Sequence, residues 1–75
     1  MAEPLRLDLK GLNCPLPVLK TGKALRNLAA GDTLIVEATD PMAAIDIPHF
    51  CREQGHQLAR EEKDGGVLRF TIIRG

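Results

Sequence analysis

Residues 5–20, LRLDLKGLNCPLPVLK, change period in mid-stretch. Leu5, Leu7 and Leu9 alternate with Arg6, Asp8 and Lys10, the period-two pattern of a half-buried strand. Gly11 to Asn13 ends that strand. From Pro15 to about Leu28 the spacing becomes helical: Val18, Gly22, Leu25 and Ala29 form one stripe, and Lys20, Lys23 and Arg26 fall largely outside it. Proline at a helix's first position is favourable, because its missing N–H has no intrahelical partner there. Gly22 costs roughly 1 kcal/mol against alanine in mid-helix, so we read it as permitting a close approach to a sheet. Gly31-Asp32 closes the helix and turns the chain.

The rest of the chain extends this strand–helix opening. TLIVEA (33–38) is a short β-branched run between turn signals, as expected of an interior strand. A strand, a helix and a second strand make a βαβ unit. Asp40-Pro41 supplies an N-cap followed by proline at the first helical position. The helix it opens meets Pro48, which predicts a kink or a fresh start at Asp46. Gly55 is the expected stop. Residues 57–62 and 67–73 flank Asp64-Gly65-Gly66 as a hairpin, with Leu68, Phe70 and Ile72 on one face and the charged QLAREE segment at an edge. The order β-α-β-α-β-β predicts an α/β chain, an α+β two-layer sandwich with both helices on one face of a four-stranded mixed sheet.

Composition narrows the classes of function. At 75 residues the chain is one domain, 1–75, and a chain of this size buries only about 60% of its unfolded surface. It is 44% hydrophobic and 27% charged, which are ordinary globular values. No run approaches the roughly 18 apolar residues of a membrane span, and MAEPLRLDLK lacks a secretory h-region. The expected location is cytoplasmic. Ten basic and ten acidic residues cancel, but residues 1–30 carry +3 and residues 31–75 carry −3. With no basic excess and only Phe50 and Phe70 as aromatics, direct nucleic-acid binding has neither phosphate attraction nor stacking platforms to support it. An asymmetric charge distribution suits docking to a protein; two solvated faces explain it equally well.

Cys14 is the residue with chemistry. Beside a helix N-terminus the macrodipole favours a thiolate. Pro15 and Pro17 remove two of the four terminal N–H groups and leave those of Leu16 and Val18 as donors, so a modest fall in pKa is expected. The alternative is a small buried hydrophobe at a helix start. No base or oxyanion site lies near it in sequence, as a hydrolase would require. Sulfur transfer requires less: a rigid, exposed, moderately acidic cysteine.

Cys51, after Phe50 in a helix, is expected to pack inward. Met42 reads as core filler. Cys14, Cys51, His49 and His56 lack metal-ligand spacing, so no metal and no other cofactor is expected. Lys20, Lys23 and Arg26 read as a solvated face or, with Leu16, as a docking patch for a partner.

GLNCPLP, with the later segments, resembles the TusA/SirA family of small sulfur carriers, whose hallmark is Cys-Pro-x-Pro at the first helix. Gly11, Leu12, Cys14, Pro15 and Pro17 match the motif, and Gly31, Asp40-Pro41, Asp46-Ile47-Pro48, Phe50-Cys51 and Gly55-His56 match the family's later segments in order. The resemblance implies a monomeric, cytoplasmic sulfurtransferase-type carrier. In it Cys14 takes a persulfide from a cysteine desulfurase or rhodanese-like donor and relays it to an acceptor protein, in tRNA thiolation, sulfur oxidation or molybdenum-cofactor supply. One departure is Leu16, where tRNA-thiolation members often carry glutamate. Two other readings of the chain are a thiol redox switch, with Cys51 resolving Cys14, and a non-catalytic regulatory binding module.

Overall fold

A computed structural model describes residues 3–75. Six elements succeed one another in the expected order: β1 (Leu5–Leu9), α1 (Leu16–Arg26), β2 (Thr33–Ala38), α2 (Ala43–Gln54), β3 (Gln57–Asp64) and β4 (Val67–Ile73). They form one four-stranded sheet in the order β1-β2-β4-β3. β1 and β2 run parallel, and β4 is antiparallel to both β2 and β3.

Register explains which face is covered. Leu7, Val36 and Phe70 stand opposite one another across three strands, and so do Leu34, Ile72 and Leu58. Paired residues point to the same side of a sheet. Leu34, Val36 and Ala38 of β2 and Leu68, Phe70 and Ile72 of β4 are all buried and share one parity on each strand. Leu25 of α1 and Ala43, Ile47 and Cys51 of α2 close over them in the same cluster. Both helices therefore cover one face. The open face carries Glu37, whose carboxylate accepts hydrogen bonds from Arg69 Nη2 at 2.9 Å and Nε at 3.2 Å, with Lys10 Nζ at 3.7 Å.

β2, the β-branched run, lies inside the sheet, and the charged β3 lies at an edge, with a register shift between Leu58 and Arg60. A bulge and exposed charge both discourage pairing with other chains at such an edge.

Four local expectations are corrected. α1 begins at Leu16, with Pro15 as N-cap, and ends at Arg26, so Ala29 falls outside it and is exposed. α2 makes no fresh start at Asp46: it is one helix from Ala43 to Gln54 with Pro48 inside it. Proline there forgoes one N–H bond to the carbonyl four residues back, and burial of Ile47 and Cys51 on either side holds the helix together. Gly22 approaches α2, not the sheet: a Cβ built on it would meet the ring of Phe50 at 3.1 Å. Met42 is 46% exposed and fills no core. It precedes the first buried residue of α2, Ala43, and points outward.

Candidate functional site

The site is made where two turns leave the same end of the sheet. β1 and β2 are parallel neighbours, so the turns into α1 and α2 emerge side by side at their carboxyl ends, where α/β sheets place their ligands. Two hydrogen bonds join the turns. Gly11 N–H donates to Thr39 Oγ1 at 2.9 Å, and Cys14 N–H donates to Asp40 Oδ2 at 2.6 Å. Gly11 has φ +86°, a backbone that only glycine adopts readily, which gives the motif's first glycine its structural reason. Leu12 packs against the core from above, and its N–H donates to Leu9 O at 3.2 Å. Pro17 is buried at the start of α1, whereas Pro15 stays exposed.

Asp40 organises the second turn with its other atoms. Its Oδ1 accepts Met42 N–H at 3.1 Å, and its carbonyl accepts Ala43 N–H at 2.9 Å. The expectation of Asp40 as N-cap with Pro41 at the first helical position is corrected: the N-cap is Met42, without a side-chain cap bond, and Asp40 and Pro41 lie in the turn before the helix, which the Asp40 carboxylate closes. The same carboxylate fixes the backbone of Cys14, 26 residues upstream.

Cys14 is exposed and free. Its Sγ lies 3.3 Å from Asp46 Oδ2, as the donor of an S–H···O hydrogen bond. The thiol pKa is raised above its ordinary value, not lowered. The hydrogen bond to Asp46 is the largest cause, followed by desolvation and by the charges of Asp46 and Asp40. The expectation of an acidified thiol fails for two reasons. The Leu16 N–H, one of the expected thiolate donors, is spent on Asn13 O at 2.9 Å. The nearest charges are carboxylates, brought in by α2 from a distant part of the sequence.

Apolar side chains stand exposed at the starts of both helices. Leu16 is 42% exposed and Ile45 64%, on the first turns of α1 and α2, with Met42 just before Ala43. A groove of about 540 Å³ runs between the helices beside Cys14, with Pro15, Val18 and Phe50 as its apolar walls and Asp46, His49 and Glu53 at its polar edge. Lys20 and Lys23 are carried elsewhere: they line a separate hollow of about 300 Å³ with Leu5 and Leu7 of β1. Arg26 is exposed at the far end of α1. The proposed basic docking residues therefore do not gather at the thiol, and only Leu16 does.

Cys51 is 1% exposed beneath α2, and burial raises its pKa. Both effects leave it inert. Among the described residues no cluster of three metal-ligating side chains occurs.

The family model for "Sulfurtransferase TusA" matches residues 5–74. The chain belongs to the TusA family. "Sulfur carrier protein TusA" of Pseudomonas putida, from each of three strains, is 48% identical over 66 residues, covering 88% of this chain and 82% of the relative. A crystal structure of the SirA-like protein from Desulfitobacterium hafniense superposes with a TM-score of 0.83 at 32% identity, over 95% of this chain and 97% of that one. TusA membership thus agrees with the two-layer fold built from the sequence pattern, and it supports a sulfur-carrier role.

Sequence reasoning did not identify Asp46 or the second role of Asp40 as parts of the site. The sequence marks Asp40 only as an N-cap. Asp46 could have been found from the adjacency of the two turns in a βαβα unit, which places the start of α2 beside the start of α1.

Proposed function

We propose that Cys14 is the sulfur-carrying residue of this TusA-family chain. The observation that carries the reading is the exposed, free thiol, its backbone N–H held by the Asp40 carboxylate where the turns after β1 and β2 meet. In the forward step the Cys14 thiolate attacks the outer sulfur of a donor cysteine persulfide. A new S–S bond forms at Cys14, the donor's S–S bond breaks, and the donor leaves as thiolate. No external oxidant or reductant is needed. The reverse geometry hands the sulfur to an acceptor.

The donor in this reading is a cysteine desulfurase or rhodanese-like protein. The acceptor is a downstream protein of tRNA thiolation, sulfur oxidation or molybdenum-cofactor supply. The carrier works as a cytoplasmic monomer, with Gly11, Leu12, Pro15 and Pro17 shaping the turn and Leu16 meeting the partner. The redox-switch reading is the weaker one, because the resolving cysteine it needs is sealed under α2.

The test is intact mass after incubation with a cysteine desulfurase and cysteine. One added sulfur, about 32 Da, is expected on the reactive thiol and is expected to vanish in Cys14→Ser. Persistence of the adduct in Cys14→Ser, or its absence from the native protein, defeats the reading.

A further inference from the structure

Reaction at Cys14 requires an anion, and the fold surrounds that sulfur with anions. Asp46 Oδ2 accepts the Cys14 S–H at 3.3 Å and Asp40 Oδ2 accepts the Cys14 N–H at 2.6 Å, so two carboxylates stand at the thiol and both oppose its ionisation. Among the described residues neither carboxylate forms a salt bridge. Lys20 and Lys23 lie in a different hollow, and His49 faces Glu53 at 3.6 Å. A thiolate formed here would be a third negative charge at a corner with no cation of its own. Such a site is built to hold a thiol.

We propose that Asp46 is a positioning residue that keeps Cys14 protonated in the free protein, and that the sulfur donor releases it by bringing a lysine or arginine to the Asp46 carboxylate. The inference rests on the sulfur-carrier function for its second half only. Pairing Asp46 with a cation withdraws the acceptor of the S–H bond and cancels the repulsion. The proton then passes to solvent, and the thiolate attacks the donor's outer sulfur, displacing the donor's thiolate. The donor surface that fits is one with its persulfide cysteine beside a basic residue and an apolar rim. The basic residue meets Asp46, and the rim covers Leu16, Met42 and Ile45, which stand exposed at the starts of the two helices.

The arrangement has a chemical benefit. Oxidation and stray disulfide exchange proceed through thiolate, so the resting carrier is protected. A thiol of higher pKa is also the stronger nucleophile once ionised. The carrier is quiet when alone and reactive when docked.

Two measurements on Asp46→Asn and Asp46→Ala test this. The first is the pH profile of iodoacetamide alkylation at Cys14 in the free protein. Both variants are expected to alkylate at lower pH than the native chain, with a rate at pH 7.5 at least about threefold higher, since the thiolate is the reacting form. The second is sulfur uptake from a cysteine desulfurase with cysteine, compared between low and high salt. Native uptake is expected to weaken as salt screens the partner's cation. The variants are expected to need a several-fold higher carrier concentration for half-maximal uptake and to show a flatter salt response.

An unchanged alkylation profile overturns the hold exerted by Asp46, and a native-like salt response in the variants overturns the trans cation. If native protein takes up no sulfur at all, the carrier reading falls instead, and the alkylation profile still decides the role of Asp46.

Discussion

Gly22 of α1 faces the ring edge of Phe50 on α2 so closely that an added Cβ would sit 3.1 Å from Cζ and 3.4 Å from Cε1. Here the two helices touch, and the absence of a side chain sets their spacing. Phe50 in turn forms part of the groove wall and lies near His56, with ring centroids 6.1 Å apart.

Gly22→Ala brings two opposing effects. Alanine gains about 1 kcal/mol of helix propensity, while the half-buried Phe50 ring must move by a few tenths of an ångström. A net change within about 1 kcal/mol is expected for the alanine, and a loss of about 1–3 kcal/mol for Gly22→Leu, which overpacks the contact. Urea unfolding of the two variants checks this; equal stability of alanine and leucine at this position would contradict it.

Thr21 is fully buried on α1, and its Oγ1 has no hydrogen-bond partner among the described residues. A buried polar group left unpaired costs about 1–3 kcal/mol. Thr21→Val keeps the β-branched shape and removes the hydroxyl. It is expected to stabilise the domain by about 1 kcal/mol, read as a higher denaturation midpoint with an unchanged denaturant slope. A destabilised variant would mean that the hydroxyl is satisfied in solution.

The C-terminal end of the chain is fastened by Arg74 and His56. Arg74 Nε donates to Leu25 O at 2.7 Å, and Gly75 N–H donates to His56 Nδ1 at 3.0 Å. Burial, and secondarily the Arg74 charge, lower the His56 pKa below its ordinary 6.5. A depressed histidine pKa means that the unfolded chain binds the proton more readily. This stability is therefore complete above pH 6.5 and is lost as pH falls through the lower folded value. The unfolding midpoint is expected to drop in that acid window and to stay level there in His56→Asn. Arg74→Ala is expected to lose about 1 kcal/mol near neutral pH, the worth of one hydrogen bond, since Leu25 O still accepts Leu28 N–H at 3.1 Å, yet to show a smaller acid loss. An acid drop of native size in His56→Asn would sink this assignment.

Much of the architecture was legible because the patterns involved are local. The alternation of Leu5, Leu7 and Leu9, the β-branched run at 33–38 and the Asp64-Gly65-Gly66 turn each encode their own element, and the structure has all of them. Pro48 misled, because the penalty for a proline inside a helix is a local quantity, while the burial of Ile47 and Cys51 that offsets it is tertiary. The site was half legible for the same reason. Cys14 declares itself by its neighbours, whereas Asp46 reaches it from 32 residues away, and no spacing rule carries that information. The direction of the thiol's pKa is set by Asp46, a residue that only the adjacency of the two turns brings to it.

Asp46, which bonds the Cys14 thiol, and Asp40, which holds its N–H, both lie outside the hydrophobic interior, in the helix and the turn that follow β2. Leu16, Met42 and Ile45 stand exposed at the starts of the two helices, so exchanges there leave every packed leucine undisturbed. A molecule divided in this way can have its outer corner rewritten by a few surface edits, with its folding left as it was.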